Sequence, residues 1–173
     1  MANTRGVTLV ELIVVIAIIG ILAVALGFSF EGWVGKYRAE SQIKEMSVDL
    51  MNTRANAMSR TRVHCVTLAA NQYTIREDRD PAPDGDGDCA DAGDTAILNR
   101  ALSADYPITT NIAGNITFST RGMMSNFGTI CSNTSYDADY NCIEVSASRI
   151  NLGKLTTLIT NGGACDSANC IAK

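Results

Sequence analysis

Glu11 stands against an uncharged apolar run, Leu12 to Phe30, and a carboxylate in that setting calls for a cation. Inside a membrane-length apolar helix an ionisable group costs about 2.5–3.5 kcal/mol on insertion scales, so it is expected to have a partner and a task. A cut after Gly6 would supply the partner, because the new N-terminal amine on Val7 would lie four residues ahead of Glu11. The piece removed, residues 1–6, is polar and carries Arg5. A second group of carboxylates, Asp84, Asp86 and Asp88, alternates with other residues in Asp-Gly-Asp-Gly-Asp. Hard oxygens at that spacing could wrap calcium. The calcium-loop template fails at Cys89, which replaces its turn glycine, and at Thr95, which replaces its final glutamate. The chain is therefore expected to need no cofactor, with calcium as the one candidate.

Six cysteines follow the apolar run: Cys65, Cys89, Cys131, Cys142, Cys165 and Cys170. An even number beyond such a segment points to disulfides and an oxidising compartment. Proximity favours Cys131 with Cys142 and Cys165 with Cys170, which leaves Cys65 with Cys89. A zinc site would want paired Cys-x-x-Cys units and more histidine than the single His64. His64 is expected to be structural, and no Gly-x-Ser-x-Gly elbow, phosphate loop or His-Glu-x-x-His appears, so catalysis is not expected.

The elements that must position these groups follow from patterning. With 173 residues, a net charge of −4 and 46% apolar content concentrated at the start, the chain has room for one apolar helix and one modest globular domain. The first segment, 7–30, is long enough to span a bilayer, which takes about 20 apolar residues, and Arg5 would stay on the cytoplasmic side. Helix-compatible sequence continues over 31–64. There Ile43, Met46, Leu50 and Ala57 form one strip, with Val48, Met51, Ala55 and Met58 alongside, and Glu45, Asp49, Asn52 and Asn56 opposite. The apolar strip is expected to seat the globular domain. Trp33 and Tyr37 fall where a helix would leave lipid. From 65 to 173 the pattern changes to short β-like runs: Val66 to Leu68, Tyr73 to Arg76, Ile116 to Ser119, Thr129 to Cys131, Ile143 to Ser146 and Arg149 to Leu152. The acidic segment Asp78 to Asp94 reads as an exposed loop.

The string GVTLVELIVVIAIIGILA resembles the N-terminal signature of the type IV pilin superfamily, which includes the pseudopilins of type II secretion. The resemblance implies cleavage by prepilin peptidase between Gly6 and Val7, N-methylation of Val7, and pairing of Glu11 with a neighbouring subunit's amine during assembly. Valine at the first mature position departs from the usual phenylalanine. Three later strings, RANAMSRTRVHCVTL, NITFSTRGMMSNFGTI and CIEVSASRINLGK, together resemble the GspH/FimT branch of minor pilins and pseudopilins. That branch implies an α+β fold in which a long helix packs on antiparallel sheet. It also implies other pilins, an inner-membrane assembly platform and the lipid bilayer as partners. The expected arrangement is an inner-membrane anchor with the globular domain in the periplasm, followed by passage into a filament.

Some relatives in that branch bind DNA, which makes DNA uptake the alternative function. It would require a basic patch. The C-terminal region offers Arg149, Lys154 and Lys173, and Arg54, Arg60, Arg62 and Arg121 could join them only through the fold. DNA is therefore not an expected partner.

Overall fold

The computed structural model describes residues 6–79, 86–87, 89 and 93–173, with only the backbone described for 25–29. The chain divides into two compact units, Met1–Gly35 and Lys36–Lys173. One helix, α1, covers Leu9–Arg60. Its last turn closes with Thr61 in the left-handed region at φ 52° and the Arg62 N–H bonded to the Ala57 carbonyl at 3.2 Å. That six-to-one bond is the Schellman arrangement, which normally recruits glycine at the left-handed position. A β-branched threonine there is strained.

Within the second unit the helix buries Ala39, Ile43, Met46, Ser47, Leu50, Thr53 and Ala57, a three-and-four spacing that lines one face. Among the described residues ten strands follow: β1 (His64–Ala69), β2 (Gln72–Glu77), β3 (Thr95–Ala101), β4 (Ile108–Thr110), β5 (Ile116–Phe118), β6 (Met124–Ser125), β7 (Gly128–Ser132), β8 (Cys142–Val145), β9 (Ile150–Leu155) and β10 (Cys170–Ala172). They form two antiparallel sheets, ordered β3-β2-β1-β5-β6 and β10-β9-β8-β7-β4. One core joins Ile43, Met46 and Leu50 of the helix to Val66, Tyr73, Ile116 and Phe118 of the first sheet and to Ile130, Ile143 and Val145 of the second. This is the α+β architecture of a helix packed against antiparallel sheet.

Two expectations change. Val48, Met51, Ala55 and Met58 do not join the core strip but stay exposed, because the sheets cover only the face carrying Ile43, Met46, Leu50 and Ala57. On the polar side of the helix, Asp49 accepts the Tyr73 hydroxyl at 2.5 Å and pairs with Arg100 at 3.0 Å, and Glu45 also takes Arg100. Burial, reinforced by the bond to Asp49, raises the Tyr73 pKa. The second change concerns the disulfides. Cys65 joins Cys89 as expected, but Cys131 joins Cys165 and Cys142 joins Cys170.

The reason lies in the second sheet. Cys131 and Cys142 are direct cross-strand partners on β7 and β8, next in sequence to Ile130 and Ile143, whose side chains enter the main core. Alternation sends the two cysteines to the other face, where they form a separate cluster with Leu155, Cys165 and Cys170. The C-terminal segment folds over that face and offers a sulfur to each. The closed loops, with separations of 34 and 28 residues, exceed those of the local pairings. In the chain-entropy picture each is worth about 3–4.7 kcal/mol.

Candidate functional site

Gly6 and Val7 lie in exposed, non-helical backbone just ahead of α1, so the expected cleavage bond is accessible. Thr8 then caps the helix. Its Oγ1 accepts the Glu11 N–H at 3.3 Å, while Glu11 Oε2 accepts the Thr8 N–H at 3.2 Å and the Thr8 hydroxyl at 3.2 Å. This reciprocal pair is a capping box, which satisfies two of the donors that a helix start leaves unpaired. A negative charge at this position also suits the positive end of the helix dipole. The Thr-x-x-Glu signal is visible in the sequence, but reading Glu11 as a charge in an apolar run passes over it. Oε1 has no hydrogen-bond partner among the described residues and is available to a donor from outside the chain.

Beyond the cap, the large apolar side chains from Leu9 to Val24 are 50–73% exposed. The helix runs unbroken through Gly20 and Gly32, around which a Cβ would meet nothing. Exposed Phe30 and Trp33 pack edge to face with centroids 6.5 Å apart. Among the described residues no helix is long and apolar enough to cross a membrane. The expected span at 7–30 includes residues 25–29, whose side chains lie outside those described.

The second unit gathers charge at its core. Glu77, at the end of β2, is 2% exposed and pairs with Arg60 at 2.8 Å, Arg79 at 3.0 Å and Arg62 at 3.6 Å, with His64 Nε2 3.9 Å away. Burial by itself would raise its pKa, but the hydrogen bonds from Arg79 and Arg60 outweigh it and hold the carboxyl below its usual range. His64 is buried beside it, with Nδ1 donating to the Arg62 carbonyl at 3.1 Å. The cluster ties the end of α1 to the start of β1 and the end of β2.

Asp78, the next residue, is 0% exposed, so the expected solvated loop is corrected at its root. Its Oδ2 accepts the Gly87 N–H at 2.6 Å, and Asp94 Oδ1 accepts the Arg79 N–H at 3.0 Å. Burial pushes the Asp78 pKa up, with Asp94 and Asp86 adding like charge. Of the calcium candidates, Asp84 and Asp88 lie outside the described residues. Among the described residues no group of His, Cys, Asp or Glu could hold a metal ion.

The candidate DNA-binding cations separate. Arg60 and Arg62 belong to Glu77, Lys154 lies 3.1 Å from Asp137, and Lys173 lies 3.8 Å from Asp139. Arg54, Arg121 and Arg149 are in no ion pair among the described residues. Arg54 donates to the Ser148 carbonyl at 2.8 Å, beside Arg149.

With this geometry in place, residues 1–27 match the prokaryotic N-terminal methylation motif, a type IV prepilin-like signal. The motif makes the N-terminus type IV prepilin-like. No curated protein and no solved structure matches the chain.

Proposed function

We propose that this protein is a minor subunit of a type IV pilus-like filament, either a minor pseudopilin of type II secretion or a minor pilin. In this reading it is cut after Gly6, methylated on Val7, anchored in the inner membrane through its first helix, and then drawn into the filament core. The disulfide-bonded unit would face the periplasm, where an oxidising environment maintains all three bonds.

The observation that carries the reading is the exposed apolar face from Leu9 to Val24, headed by one carboxylate with an unpartnered oxygen. Burying a Leu, Ile or Val side chain is worth about 1.5–3 kcal/mol, so this face favours a lipid or helix environment over water. A run of large apolar side chains each at least half exposed is unlike the surface of a monomer, where contiguous apolar patches beyond a few hundred Å² are rare. A protonated Val7 amine from a neighbouring subunit would meet Glu11 Oε1 and set the register.

Glu11 has two candidate tasks, capping and assembly, and two substitutions separate them. Glu11→Ala removes cap and charge, whereas Glu11→Gln removes the charge but can still serve as the third residue of a capping box. At native expression, immunoblots of sheared filaments should show both variants processed but lost from filaments by more than about thirtyfold, the effect of removing about 2 kcal/mol or more from a buried charge pair. Normal incorporation of Glu11→Gln would leave Glu11 as a cap only and end the register mechanism.

A further inference from the structure

Arg54, Arg121 and Arg149, which are in no ion pair among the described residues, come from segments that meet. The tight turn at residues 119–123 places Gly122 at φ 73°, where a Cβ would meet Met58 Sδ at 2.6 Å and Arg54 Nε at 3.2 Å. Arg54 and Met58 of α1 therefore lie directly against this turn, whose neighbouring positions are Arg121 and Met123. The turn at 146–149 joins the same place, since Met124 N–H donates to the Ala147 carbonyl at 2.8 Å and Arg54 donates to the Ser148 carbonyl at 2.8 Å. Arg121 and Arg149 are exposed, as are Met58 at 43% and Met123 at 48%.

We propose that Arg54, Arg121 and Arg149, with Met58 and Met123 between them, form a docking surface for an acidic, apolar protein segment of a neighbouring filament subunit. That the partner is a filament subunit rests on the function proposed above, but the chemistry of the patch does not. Among the described residues these guanidinium groups meet no carboxylate, whereas Lys44, Arg60, Arg79, Arg100 and Lys154 each do. Guanidinium matches carboxylate in two-point geometry. Methionine and arginine are also the residue types enriched where proteins meet, methionine because its flexible side chain adapts to a partner.

The surroundings favour a peptide over a long polyanion. His64 of β1 pairs with Glu77 on one side and Phe118 on the other, so the root of the acidic segment 78–94 and the 119–123 turn lie at the same end of the first sheet. A nucleic-acid backbone laid across the patch would run toward that root, where Asp78 and Asp94 lie. Two or three carboxylates on a peptide need only the patch itself.

The test uses the full processed chain in detergent, titrated with an amphipathic Glu/Leu helical peptide and separately with a DNA duplex of equal charge. Peptide binding should weaken as salt rises and fall by at least about tenfold in Arg121→Glu/Arg149→Glu, a pair of exposed turn substitutions that leaves the Arg54–Ser148 contact intact. In cells, a photocrosslinking residue at Met123 should join the protein to another subunit at a peptide carrying at least two carboxylates. The same charge reversal should remove that adduct while Gly6 cleavage and the three disulfides persist. Peptide binding indifferent to the reversal overturns the proposal, and so does duplex binding that the reversal abolishes. If the peptide binds as expected but the chain never enters filaments, the function proposed above fails and the patch stands.

Discussion

The two units invert each other. The first exposes isoleucine, leucine and valine that ordinarily sit inside a protein, while the second buries Glu77, Asp78 and His64, which ordinarily do not. The second unit offsets its inversion internally: Glu77 has Arg60, Arg62 and Arg79, and Asp78 has the Gly87 N–H. Among the described residues the first unit shows no such compensation beyond its capping box. An apolar surface is satisfied by more apolar surface, and the described side chains from Leu9 to Val24 meet none. The contrast is between polar groups satisfied within the fold and apolar groups left exposed by it.

The largest effect should come from keeping the first unit's charge pattern in its precursor form. Gly6→Val places a bulky side chain at the cleavage position, and mass spectrometry should find the chain uncut, with wild type beginning at Val7. A wild-type N-terminus after Ala25 would instead make the segment an ordinary secretory signal. The second unit should be untouched in either case, which near-ultraviolet circular dichroism can verify.

Next in size is the staple that holds the second unit's outer face. Replacing Cys142 and Cys170 together by alanine removes one of the long-range disulfides. Urea unfolding should show a loss of about 2–5 kcal/mol, and unreduced peptide mapping of wild type should find Cys131 with Cys165 rather than with Cys142. A smaller loss would mean that packing of Leu155 and its neighbours holds the C-terminal segment by itself.

Glu77 and Asp78 sharpen the comparison further because adjacent buried carboxylates should respond oppositely to pH. The folded-state pKa of Glu77 is depressed, so its stabilisation is present above the unfolded value of about 4.3 and is lost as pH falls through the lower folded value. Asp78 is raised, so its protonated form stabilises the fold below about 3.9, and that contribution is lost as pH rises through the folded value. Glu77→Gln should cost about 2–3 kcal/mol at neutral pH, the scale of a hydrogen bond to a charged group, and much less near pH 3. Asp78→Asn should instead stabilise at neutral pH, with the gain vanishing in acid. Denaturation curves at the two pH values check both signs.

The smallest effect is at the helix end. Thr61→Gly relieves a left-handed threonine at some cost in unfolded-state entropy, and a net gain of about 0.5–1 kcal/mol in thermal unfolding is expected. No gain would show that the bond from the Thr61 hydroxyl to the Arg60 carbonyl, 2.7 Å, offsets the strain.

Legibility followed how far each feature depends on neighbours distant in sequence. The long helix and the runs that became β1, β2, β5, β7, β8 and β9 were readable because local periodicity specifies them. β3 was not, since it lies at a sheet edge and its Thr95–Ala101 run is mostly exposed, with no buried alternation to reveal it. β10 is a strand only because β9 pairs with it.

What sequence alone determined is therefore local: the prepilin-like motif over residues 1–27, the apolar run, and the Thr8–Glu11 capping box are encoded within a few residues of one another. Only the tertiary structure decided which sulfurs meet, which of two apolar helix strips is buried, and which arginines keep free charge. Each of these depends on where a sheet face or a turn arrives from far along the chain. Cys131 and Cys142 are neighbours in space and still bond elsewhere, because the sheet holds them side by side while the C-terminal segment brings Cys165 and Cys170 onto their face.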